Sequence, residues 1–207
     1  MRIDNWRAML EKYRLIKGLY IECEETDPEL KTNLQPLNEF RLALDHVFRL
    51  IDIELATESG DLSHSAHFQD EDLRLNGHLV RAFFDVCDML AINYRNKIVS
   101  ALEIYSPDSI SLAYPRYYSE IKPAIEQISQ RIAVYRGQKG GDAADAYYRD
   151  VMALRDIFKH IIAITPSLDE LRREEVRQKG AESRNRRLGW LIAIVGIVLG
   201  AVIALLK

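Results

Sequence analysis

The pattern Arg-x4-His occurs twice in this chain, as Arg41-Leu-Ala-Leu-Asp-His46 and as Arg155-Asp-Ile-Phe-Lys-His160. An imidazole titrates near neutrality and can take or give a proton, while a guanidinium stabilises negative charge developing on a phosphoryl oxygen. Residues five apart on a straight helix point about 140° away from one another, so each pair needs a kink, the long reach of arginine or a second subunit to converge. The plainer reading gives Arg41 and Arg155 to surface or interhelical ion pairs and each histidine to a bundle edge.

Asp61, His64, His67 and Asp70 recur at three-residue intervals in the stretch 57–70, which lacks hydrophobic periodicity and is expected to be the longest loop. Were that stretch helical, His64 and His67 could share a metal with one carboxylate. A solvated polar loop is the expectation, with no metal and no cofactor. The chain carries no glycine-rich phosphate loop, no paired-cysteine zinc spacing and no G-x-S-x-G elbow.

In its two Arg-x4-His strings and its helical layout the chain resembles the HEPN superfamily, small helical bundles whose RNase members carry Arg-x4–6-His and act as dimers. The resemblance implies His46 or His160 as general acid or base, and Arg41 or Arg155 as the phosphate-stabilising partner. The family often has a polar residue directly after the arginine, a preference that Asp156 meets and Leu42 does not. Members with membrane spans occur beside phage-defence loci, which implies a defence role.

Hydrophobic spacing predicts the elements that would hold these residues. Six prolines and ten glycines in 207 residues leave few turns for an all-β fold, so the expectation is all-α. Trp6, Met9, Tyr13, Ile16 and Tyr20 mark a first helix over about 4–23. Leu37, Phe40, Leu44, Val47, Phe48, Ile51 and Leu55 form one apolar stripe on a second, ending near Ala56. The longest pattern runs from Leu75 through Leu79, Phe83, Val86, Leu90, Tyr94, Ile98 and Leu102 to Tyr105, a predicted spine of about 50 Å. Ile125, Ile128, Ile132 and Tyr135 mark a fourth helix, and Tyr147, Val151, Leu154, Phe158 and Ile161 a fifth that stops at Thr165-Pro166. Ser167 and Glu170 read as the capping box of a sixth. Cys23 and Cys87 are expected to be free thiols.

Leu188–Leu206 contains no ionisable side chain and no Asn, Gln, Ser or Thr. A run of this length matches a hydrocarbon core of roughly 30 Å, so a C-terminal transmembrane helix is expected. Arg184, Arg186, Arg187 and Trp190 would sit at its interface. Gly189, Ala193, Gly196, Gly200 and Ala204 would form a close-packing face within it. Residues 167–207 hold eight Lys or Arg against five Asp or Glu, leaving 20 basic and 26 acidic groups in 1–166. The positive end places the bulk of the chain on the cytoplasmic side of a cell membrane, and the acidic remainder argues against general nucleic-acid binding.

The expected architecture is therefore an antiparallel helical bundle (1–166), a charged helical stalk (167–187) and a transmembrane helix (188–206). The expected function is a tail-anchored, single-pass protein that meets the lipid bilayer, forms a homo-oligomer and perturbs the membrane or its ion permeability in phage defence. Its trigger would be a cytoplasmic signal, such as a nucleic acid or nucleotide. A membrane-tethered, metal-independent ribonuclease of the HEPN kind is the alternative. A non-enzymatic membrane scaffold that recruits a partner protein is the third reading.

Overall fold

The structure, a computed structural model, describes the backbone of residues 3–29, 32–56, 63–137 and 141–205. It describes the side chains within those ranges other than 3–5, 56, 63–65, 141, 142, 195 and 197–205. The described residues form helices α1 (Ile3–Thr26), α2 (Leu34–Ala56), α3 (Ser63–Leu102), α4 (Pro107–Ala113), α5 (Lys122–Gly137) and α6 (Gly141–Leu205). A π turn, Tyr117–Ile121, leads into α5. The all-α expectation is met, with no strand among the described residues.

α3 is the spine, and the residues predicted for it from Leu75 to Tyr105 are all buried. α1, α2, α5 and α6 pack around it. Cross-helix bonds give the directions. Glu39 meets His78 and His46 meets Glu71, so α2 runs antiparallel to α3. Lys12 meets Asn76 and Glu22 meets Tyr94, so α1 runs parallel to it. The ring of Tyr147 lies against Phe84, and the Tyr105 hydroxyl donates to Asp169, so α6 is parallel to α3 as well. The bundle therefore mixes parallel and antiparallel neighbours, because α3 collects its partners on several sides. Ser106 caps α4 by accepting a hydrogen bond from the Ser109 backbone N–H, with Pro107 in the first turn where its missing donor costs nothing.

Four expectations are corrected. The predicted loop is in part helix: α3 begins at Ser63, so His64, His67 and Asp70 lie on it, whereas Asp61 falls outside the described residues. The expected stop at Thr165-Pro166 is absent, since α6 continues through Pro166 and the Ser167–Glu170 pair caps nothing. Proline removes one backbone hydrogen bond. The buried side chains of Ile161 and Leu168 on either side, and the Tyr105–Asp169 bond, hold the helix on the bundle regardless.

The third correction concerns α2. Of its predicted stripe, Leu37, Leu44, Phe48, Ile51 and Leu55 face outward, and the face packed on α3 carries Ala43, His46, Leu50 and Ile53 instead.

The fourth is the transmembrane helix. Among the described residues no helix is long and apolar enough to cross a membrane. Within the apolar run 188–206, the described side chains are those of Leu188–Ile194 and Gly196. The run forms the end of α6, a single helix of 65 residues, and is not an element of its own.

Candidate functional site

Arg41 and His46 occupy opposite sides of α2. Arg41 is exposed and donates to Asn38 Oδ1 at 3.3 Å, one turn away. His46 is buried against α3, with Nδ1 2.5 Å from Glu71 Oε2. An ionised carboxylate only accepts, so Nδ1 carries the proton and donates. Glu71 is 3% exposed, and Arg49 Nη1 approaches its other oxygen at 3.6 Å. Burial opposes its ionisation, but the hydrogen bond and charge of His46 together with Arg49 outweigh it and hold the carboxyl below its ordinary range.

Beside this pair lies its counterpart. His78 Nδ1 is 2.7 Å from Glu39 Oε2, and Arg81 Nε donates to the same oxygen at 2.9 Å. For Glu39, too, burial works against the ionised form, and the bonds from His78 and Arg81 overcome it to keep the carboxyl low. The two imidazole rings stack at 5.2 Å with 23° between their planes. The register explains the arrangement: Glu39 and His46 are seven apart on α2, Glu71 and His78 seven apart on α3. Because the helices are antiparallel, each histidine meets the other helix's glutamate. Sequence reasoning missed Glu39, Glu71, His78 and Arg81. The signal that could have found them is the repeated Glu-x6-His spacing.

The second string is dispersed too. Arg155 on α6 faces α1, 3.5 Å from Glu22, whose carboxylate also accepts the Tyr94 hydroxyl. Asp156 lies 3.8 Å from Arg155 Nε, beyond hydrogen-bonding reach, and that nitrogen is buried without a hydrogen-bond partner. His160 is exposed and its ring rests 4.6 Å from that of Tyr114. Neither string brings its arginine to its histidine within one chain. Nor do the strings meet: the His46 cluster sits at the level of residue 78 on α3 and Arg155 at that of Tyr94, about 24 Å further along.

Other chemistry is equally constrained. Among the described residues no three His, Cys, Asp or Glu side chains are grouped to hold a metal. His67 is exposed, and Asp70 pairs with Arg74 at 3.0 Å. Cys23 and Cys87 are free and buried. Burial, with Asp27 nearby, pushes the Cys23 thiol up to about 11, and burial raises Cys87 as well, so neither is a nucleophile at neutral pH. The packing residues Gly189, Ala193 and Gly196 are exposed on α6, and a Cβ built on either glycine would meet nothing within 4 Å. Arg184, Arg186, Arg187 and Trp190 are exposed likewise. Gly200 and Ala204 continue the helix, with side-chain surroundings outside the description.

One concavity among the described residues is apolar. A cleft of about 810 Å3 lies between α1 and α2 with Leu75 and Leu79 of α3 as its floor. Met9, Leu10 and Tyr13 line one wall and Leu34, Leu37 and Leu44 the other. Asn38 and Arg41 also line it, and no histidine or carboxylate is among its described lining residues. No family model matches the sequence, and no curated protein or solved structure is similar to it, so the geometry alone speaks for function.

Proposed function

We propose that this protein is a non-enzymatic helical scaffold that works by self-association. The observation that carries the reading is the end of α6. The helix leaves the bundle after Glu175, whose carboxylate accepts from Ser106 and Ser109, and continues for 30 residues, a reach of about 45 Å. Along it Leu188, Trp190, Leu191, Ile192 and Ile194 are all exposed. An apolar surface of this extent calls for cover. A second α6 supplies it, and Gly189, Ala193 and Gly196 let the two backbones approach closely.

The test is the mass of the full chain in mild detergent, with and without Leu191→Glu and Ile194→Glu together. Wild type should sediment as an oligomer and the variant as a smaller species. A wild type that is monomeric in detergent, or that binds lipid vesicles as a monomer, sinks self-association through this helix. RNA cleavage lost in His160→Ala or His46→Ala would overturn the non-enzymatic part.

A further inference from the structure

α2 presents a second apolar surface, independent of α6. Leu34, Leu37, Leu44, Phe48, Ile51 and Leu55 are all exposed, with Leu34 at 73% and Leu55 at 72%. Their spacing alternates three and four residues, with Arg41 filling the one remaining position. That is the 3.5-residue period of a helix-pairing seam, and a single polar residue within such a seam sets orientation and register. The seam is about 31 Å long. It opens onto the cleft, where Leu10 and Tyr13 of α1 flank it.

We infer that this seam pairs with the same seam of a second copy, antiparallel, so that α1 and α2 of each copy form a two-fold four-helix interface. Charge selects the occupant and its direction. Arg41 lies in the N-terminal half of the seam, while Asp45 and Asp52 lie along its flank towards the C-terminal half. All three are exposed, and among the described residues none has an ion-pair partner. A parallel pair would set Arg41 against Arg41. An antiparallel pair sets Arg41 of each copy beside the acidic flank of the other. Together the seam residues with Leu10 and Tyr13 leave on the order of 700 Å2 exposed per copy, close to the ~800 Å2 per partner of a stable interface.

The experiment is cysteine cross-linking of the full chain with a short bismaleimide, in a background where Cys23 and Cys87 are buried and wild type serves as control. Leu44→Cys, near the two-fold axis, should link to itself. Leu34→Cys alone should not, because the two copies of residue 34 would lie about 31 Å apart. A mixture of Leu34→Cys and Leu55→Cys chains should link. Arg41→Asp should reduce the Leu44→Cys link at least tenfold, and adding Asp45→Arg with Asp52→Arg should restore it. Self-linking of Leu34→Cys would show a parallel pair and overturn the inference, as would an unlinked Leu44→Cys. The outcome is separable from the α6 reading: oligomers that leave Leu44→Cys unlinked sink the seam alone, and a Leu44→Cys link that persists with Leu191→Glu and Ile194→Glu is the result expected of a seam independent of α6.

Discussion

The two faces of α2 differ in kind. The face turned to α3 buries Ala43, Leu50 and Ile53 and sets His46 and Glu39 of α2 against Glu71 and His78 of α3, whereas the face turned to solvent carries leucines and Phe48 beside Arg41, Asp45 and Asp52. Buried ion pairs seldom raise stability over a hydrophobic substitute, but they penalise every register that fails to match them. The inner face thus fixes how α2 lies on α3, and the outer face is left exposed. An apolar face that the fold leaves uncovered, on a helix already anchored by its other side, is what an interface needs.

Breaking the inner face should have the largest effect. His46→Ala strands a buried carboxylate with only the distant Arg49, and urea denaturation should show a loss of about 3 kcal/mol. A loss below 1 kcal/mol would show that the cluster does not hold the helix. Acid comes next. Glu39 and Glu71 are held below the ordinary carboxylate range, so their contribution is complete above roughly pH 5 and is lost as pH falls through the depressed folded values. The urea midpoint should therefore drop on acidification, and Glu71→Gln should lower the midpoint at neutral pH while flattening its acid dependence. Arg49→Ala should cost less than about 1 kcal/mol, because that guanidinium is 56% exposed. On the outer face, Leu55→Ser should change monomer stability by no more than about 0.5 kcal/mol, measured at concentrations where copies do not associate. A large loss there would mean that the face is covered within the chain.

How legible was this in the residues? The α3 pattern from Leu75 to Tyr105 predicted a buried spine and met it at every position, because a central helix is apolar wherever a neighbour packs and has several neighbours. α2 was legible as a helix but not in its orientation. Its leucine stripe is the stronger periodic signal, and periodicity reports that a face is apolar, not what covers it. Pro166 predicts a stop because local propensity disfavours proline within a helix, and burial of Ile161 and Leu168 overrides that cost. The Arg-x4-His strings drew attention to the right histidine on α2 for the wrong partner: His46 answers to Glu71, 25 residues away.

Composition and spacing alone determined that this chain is helical, where most of its helices lie, and which residues of α3 form the core, since each follows from local propensity and a 3.6-residue period. Only the tertiary structure decided that α2 packs His46 and Glu39 inward and leaves its leucine stripe outward, that α6 runs unbroken past Pro166, and that neither arginine reaches its histidine. Those outcomes depend on contacts between residues far apart in sequence, whose free energies outweigh the local preferences that a single sequence displays.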